Sequence, residues 1–291
     1  MSETKTNINW FPGHMAKARR EMSENIKYVD MVIEIRDGRI VASSENPLLR
    51  EIAGNKPRLI VISKKDKAED DITAQWIDWF HKQGHEAIAL NLIVDKSISK
   101  KISDACLKIM ADKVNKYKAR GMKHVEIKAM VVGIPNVGKS TLINSVAQKK
   151  AAKTADRPGV TRSLQWIKIS QDVALLDTPG VLWPKFEDER TAFNLAITGA
   201  INDDILPVED VVRYAVRELL KNHPEKLQQR YGIDAEGDAV EVIDRIAQAR
   251  GCLLAEGGYD YKRVYALILK DIRDSQLGGI SWEKPEDADE Q

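Results

Sequence analysis

Cysteine is almost absent: Cys106 and Cys252 are the only thiols in 291 residues, far apart and without the close spacing of a metal site or redox pair. Both sit in apolar helical patterns, where a thiol is ordinarily a small buried hydrophobe. Long apolar runs are missing too. None approaches the roughly 20 residues that cross a bilayer, and the start, MSETKTNINW, lacks the charged-then-apolar order of a signal peptide. The expectation is a cytoplasmic protein with no membrane partner. Neither sign of charge dominates, because the formal net charge is +1. That excludes a global pull onto nucleic acid or anionic lipid, yet a near-neutral sum can hide a basic face balanced by the acidic tail EKPEDADEQ.

Length and apolar content suffice for a large core and a smaller second domain. Met15, Ala18, Met22 and Ile26 recur at three-to-four-residue spacing, one apolar face of a helix. MVIEIRD then reads as a buried strand. Alternation continues through helical NPLLREIAG, strand PRLIVIS, helical DITAQWIDWFHKQG, strand EAIALN and one long helix from about Ser97 to Arg120. Next, the strand VEIKAMVVGIP runs into a glycine-rich loop with the helix KSTLINSVAQ behind it, and strands around SLQWIKIS and VALLDT complete a sheet of about six. This alternation calls for a mostly parallel sheet with helices on both faces, an α/β fold. From residue 187 onward only helical patterns follow. The expected division is therefore an α/β domain over 1–186 and an all-α domain over 187–291.

Gly133, Gly138, Lys139 and Ser140 in GIPNVGKST match the phosphate-loop pattern G-x-x-x-x-G-K-[ST], between a strand and a helix as its mechanism requires. Glycines let backbone N–H groups crowd around phosphate oxygens, and the helix N-terminus adds partial positive charge. Asn136, Val137, Thr141 and Gly180 complete the expected phosphate set. Lys139 is expected to reach the outer phosphates and the Ser140 hydroxyl to ligate Mg²⁺. Asp177, opening DTPG after an apolar strand, positions the same metal shell, and Thr161 in RPGVTR offers it a further hydroxyl. Upstream, SKKD follows the pattern [NT]-K-x-D. The Asp66 carboxylate can accept two hydrogen bonds from guanine, a donor pair that adenine lacks, which argues for GTP over ATP. Ser63, Lys64, Asn91 and Leu92 are grouped with it as the guanine set. Ser63 stands where the pattern has Asn, with shorter reach and no amide, so its link to the base or the loop is expected to be weak.

These motifs run base, then phosphate, then switches, the order of a permuted GTPase domain whose original ends have been joined and new ends opened elsewhere. With NWFPGHMAKA, DGRIVASSENP, SKKD, GIPNVGKST, RPGVTR, DTPGVLWPKF and LLAEGGYDYKR, the whole chain resembles the circularly permuted GTPases of the ribosome biogenesis GTPase A type. It departs from them at Ser63, and at Gly38 and Val41, where the family usually has Ala and Pro. Val181 follows DTPG where many GTPases carry a water-orienting glutamine. The resemblance implies that His14 in FPGHM supplies the catalytic group instead, and Asn136 is similar to the asparagine that holds K⁺ in potassium-stimulated GTPases. It also implies binding of GTP and GDP, and of the maturing large ribosomal subunit, its rRNA and proteins, with release on hydrolysis. Tyr259, Tyr261, Lys262 and Arg263 combine aromatic and basic groups suited to rRNA, although tyrosines on an amphipathic helix suit core packing equally. Lys17, Arg19 and Arg20 could extend that surface. Two other readings stand beside this one: a GTP-dependent RNA-binding scaffold with little hydrolysis of its own, and a P-loop small-molecule kinase, which leaves SKKD and DTPG unexplained.

Overall fold

Every residue of the strand Met31–Asp37 (β1) is buried, as a central strand covered on both faces requires. In the computed structural model, which describes residues 13–147, 164–183, 186 and 188–289, this strand follows helix α1 (Gly13–Asn25) and precedes α2 (Pro47–Ala53), β2 (Arg58–Ser63), α3 (Asp70–Lys82) and β3 (Glu86–Ala89). Then come α4 (Ile98–Ile109), α5 (Ala111–Ala119), β4 (Ile127–Val132), α6 (Lys139–Ala147), β5 (Gln165–Lys168) and β6 (Val173–Asp177). Six strands form one sheet in the order β3-β2-β1-β4-β6-β5. All pairings are parallel except β5 with β6. From β1 the chain moves outward to β2 and β3, whereas from β4 it moves to the other side. The carboxyl ends of β1 and β4 therefore flank a topological switch point, where ligands of open α/β sheets bind.

Met15, Ala18 and Met22 are buried. The α1 helix ends at Asn25, however, and Ile26 enters a 3₁₀ turn with no buried residue. The pattern read as one helix from Ser97 to Arg120 is two helices that break at Met110, whose backbone lies at φ −97° and ψ 17°. Periodicity cannot reveal this break, because the hydrogen bonds from Met110 N to Cys106 O and from Val114 N to Met110 O carry the helical spacing across it. Burial pushes the Cys106 thiol up to about 12, so it stays protonated as an inert core group.

The chain divides into two compact units, one comprising Asn9–Lys185 and Glu283–Gln291 and the other including Phe186–Trp282. The second contains α7 (Glu189–Ile197), α8 (Val208–Asn222), α9 (Pro224–Tyr231), α10 (Ala239–Ala249) and α11 (Tyr261–Arg273). Aspartates start three of these helices. Asp188 accepts hydrogen bonds from Arg190 and Thr191, Asp238 forms a capping box with Glu241, and Asp260 accepts from Arg263 N; such caps satisfy N–H groups that have no partner within the helix. At the far end Arg273 donates to the carbonyls of Ala196 and Ile197, at 2.7 and 3.2 Å, closing α11 onto the end of α7.

The tail does not stay with this helical unit. From Glu283 the chain belongs again to the sheet-containing unit, whereas the sequence pattern groups 187–291 together. The Glu283 carboxylate accepts from the backbone N–H of Ala42 at 2.8 Å and of Ser43 at 3.0 Å, and from the Ser43 hydroxyl. Ala288, on α12 (Glu286–Asp289), packs against the core of Val41, Ile60, Ile62, Trp76 and Phe80. Among the described residues no helix is long and apolar enough to cross a membrane.

Candidate functional site

The loop after β4 bends through Gly133 (φ 155°), Asn136 (φ 59°) and Gly138 (φ 103°). A Cβ on Gly133 would stand 2.7 Å from the Ile35 carbonyl oxygen, so only glycine lets this loop lie against β1. Lys139 opens α6 and is buried. Its ammonium folds back to donate to Gly133 O at 2.9 Å and Ile134 O at 2.6 Å. Burial lowers its pKa to about 7, with Asp177 pulling the other way. The glycine of DTPG is tied to the same loop, because a Cβ on Gly180 would stand 2.9 Å from both Lys139 Nζ and Pro135 Cα. Thr178 donates to Val131 O at 2.6 Å. Asn46, at the N-terminus of α2, makes two contacts at once. Its side-chain oxygen caps the helix at Leu48 N, and its side-chain amide donates to Val181 O at 2.5 Å.

Ser63 reaches the loop after all. Its hydroxyl is fully buried, 3.0 Å from Arg36 O and 2.5 Å from Val137 O. A hydroxyl has one hydrogen for these two acceptors, whereas an asparagine amide would bring two. Replacing Ser63 by Ala leaves both buried carbonyls without this donor and is expected to cost about 1–3 kcal/mol, read in urea unfolding with a parallel fall in GDP affinity. Beyond Ser63, Lys64 is left-handed (φ 52°) and its ammonium lies 2.7 Å from Asp37 Oδ2. Arg39 grips the same carboxylate with Nε at 3.0 Å and Nη2 at 2.7 Å. Burial would raise the Asp37 carboxyl, but Arg39 and Lys64 together hold it well below the usual carboxylate range. Asp66 is exposed on the turn Lys65–Lys67.

Leu92 lies over Gly138, where a Cβ would meet its Cδ1 at 3.1 Å. The Asn91 side-chain oxygen is taken up locally, accepting from Ile93 N and Val94 N. Both stretches thus converge on the loop from β2 and β3. Ser140 and Thr141 are exposed on the first turn of α6, and Asp177 is buried at the end of β6. These hard oxygen donors fit a magnesium ion that keeps water and phosphate oxygens in its shell. Thr161 lies outside the described residues, and His14 sits in α1 with its side chain outside them. A cleft of about 840 Å³ lined by Lys56, Arg58, His81, His85 and Lys108 lies instead at the amino ends of β2 and β3 and holds none of the motif residues.

Asn46, Asp37 and Thr178 lie inside DGRIVASSENP and DTPG, but the motifs assign them no role. Of these only Asn46 carries a local signal, an N-cap residue before Pro47.

Comparison with known proteins decides the family. A profile described as 50S ribosome-binding GTPase matches residues 128–238, beginning at β4 and leaving SKKD outside. A protein of Bacillus cereus named ribosome biogenesis GTPase A is 48% identical over 98% of this chain and 96% of its own length. The chain belongs to the ribosome biogenesis GTPase A family. The Priestia megaterium member is 47% identical over 97% of this chain and 99% of its own. The GDP-bound structure of Thermotoga maritima YlqF shares the fold, with a TM-score of 0.65 over 92% of this chain and 100% of that one at 24% identity. The chain is thus a GTPase of ribosome biogenesis, and its permuted P-loop domain is that of the ribosome biogenesis GTPase A family.

Proposed function

We propose that this protein binds the maturing large ribosomal subunit in its GTP form, acts late in its assembly, and leaves when GTP is hydrolysed to GDP. One observation carries the reading. The phosphate loop, DTPG and the base motif meet at the switch point of the sheet, and the chain that follows DTPG enters the helical unit. A change at the γ-phosphate therefore has a short covalent route to the helices. In this reading Asp66, Lys64, Ser63, Asn91 and Leu92 form the guanine side, and Gly133 to Thr141 with Gly180 form the phosphate side. Magnesium, held by Ser140, Asp177 and Thr161, would neutralise charge developing on the phosphates. Asn136, already in the left-handed conformation, is assigned to potassium.

Val181 is fully buried and its side chain is apolar, so it cannot orient water. The scaffold reading draws on the same observation. His14 is assigned the water-positioning role, since imidazole hydrogen-bonds water near neutral pH. Steady-state hydrolysis with and without purified large subunits, in potassium and in sodium, tests both readings. Subunits and potassium together should accelerate wild type by at least about tenfold, and His14→Ala should remove that acceleration. If neither protein responds to subunits, the scaffold reading replaces the enzyme reading.

A further inference from the structure

The path from α5 into β4 is where permutation leaves a connection between the base and phosphate motifs, and it is unusually basic. Residues 112–128 carry six Lys/Arg against two carboxylates in a chain whose net charge is +1, so positive charge is concentrated here and outweighed elsewhere. Lys116, Lys118, Arg120 and Lys123 are exposed and form no ion pair among the described residues. The first helix behaves differently. There, Lys17, Arg19 and Arg20 lie within 4 Å of Glu21, Glu51 and Glu24, as on an ordinary solvated surface.

Contacts gather this basic segment at one place in the fold. Lys113 on α5 pairs with Asp30, whose other oxygen accepts from Lys128 N. Ile127 N donates to Asp172 O in the β5–β6 turn, and Gln171 in that turn contacts His124. Lys128 and Lys168 both stand opposite Ala174 of β6, on neighbouring strands. Trp166, two residues before Lys168 on the edge strand, is 45% exposed, with the Lys128 ammonium 5.5 Å from its ring centroid. Lys168 pairs with Glu126 at 3.2 Å. An indole held by a cation on one side offers its remaining area to a base, and the exposed cations Lys116, Lys118, Arg120 and Lys123 suit phosphates.

We infer that α5, residues 120–126 and the β5 edge form an RNA-binding face on the nucleotide-binding unit, taking the phosphodiester backbone with one base stacked on Trp166. The basic stretch enters at the amino end of β4, whereas the phosphate loop leaves its carboxyl end, and Trp166 stands on the edge strand opposite Leu176. This inference rests on the proposed ribosomal function and supplies it with a contact surface.

The test compares wild type with a variant carrying Lys116→Gln, Lys118→Gln, Arg120→Gln and Lys123→Gln together. Binding to large subunits and to naked large-subunit rRNA is measured across a salt series. The inference expects affinity for both to fall tenfold or more at low salt, the slope of log K against log salt to flatten by about three or four, and particle-free GTP hydrolysis to stay unchanged. Arginine at all four positions should restore binding. Trp166→Ala should lose about fivefold or more with the slope intact. Unchanged affinity and slope in the glutamine variant overturn the inference, as does loss on the assembled particle alone, which would transfer the face to a protein partner. If wild type binds rRNA but no subunit, the proposed function fails while the face stands. If it binds neither, both fail.

Discussion

Lys139→Ala is expected to weaken GDP and GTP binding roughly a hundredfold or more, a loss of about 3 kcal/mol for a charge-assisted contact. The wild-type lysine also makes binding depend on pH in a defined direction. In the nucleotide-free protein, burial lowers the ammonium to about 7. A polyphosphate beside it favours the charged form and returns the pKa toward its ordinary value. Above pH 7, therefore, binding must take up a proton, and affinity should fall by up to tenfold for each further pH unit. The same linkage acts on folding. Between pH 7 and the ordinary lysine value the unfolded chain holds more protons, so the nucleotide-free protein gains stability as pH rises through that window. Calorimetric titration with GDP at pH 7, 8 and 9, in buffers of different ionisation heat, reads affinity and proton uptake together. The alanine variant should show a flat pH profile. A wild-type affinity independent of pH, or a variant that binds within a few-fold of wild type, would overturn this role.

Asp37→Ala should be the most damaging change to stability, at about 3–5 kcal/mol. Asp37 is 1% exposed and faces both Arg39 and Lys64. Removing it leaves Arg39, itself buried, and Lys64 without the carboxylate that balances them. Asp37→Asn keeps the shape and isolates the charge, and it should recover little. The pH dependence follows from the depressed carboxyl: its contribution is complete above the unfolded-state value near 4 and is lost as pH falls below it. Urea unfolding at pH 7, and in steps from pH 4 down to pH 2, measures both effects. A loss below about 1 kcal/mol at pH 7 would show that the cluster is solvated and that the ion pairs contribute little.

The sheet and the family are legible because their signals are local. Short apolar runs and period-3.6 patterns locate the strands and most of the helices, and glycine-rich punctuation locates the loop. The elements that escape are those whose cause lies elsewhere in the chain. Nothing near Met110 marks a break, since it carries neither Gly nor Pro and the helical hydrogen bonds continue past it. The short helix α7 has a legible start in Asp188, but its nine residues give too few turns for a clear stripe. The reach of Ser63 is hidden from the sequence, because the closeness of β2 to the loop at Val137 depends on strand order. Asp37 reads as one more acid after a strand until Arg39 and Lys64 close on it. Glu283 is harder still, because its partners stand some 240 positions earlier.

That last contact changes what kind of module the helical unit is. Its chain leaves the nucleotide-binding unit near Phe186 and returns at Glu283, so topologically it is an insertion rather than an appendage. A protease cutting between the units at one junction would leave both pieces attached through the other. An isolated fragment stopping at 185 would lack the carboxylate that holds Ala42 and Ser43 and the Ala288 contact over Val41 and Trp76. The smallest excisable GTPase domain of this protein therefore comes from two stretches of sequence, and a single-cut truncation would measure the loss of its seal along with the loss of its helices.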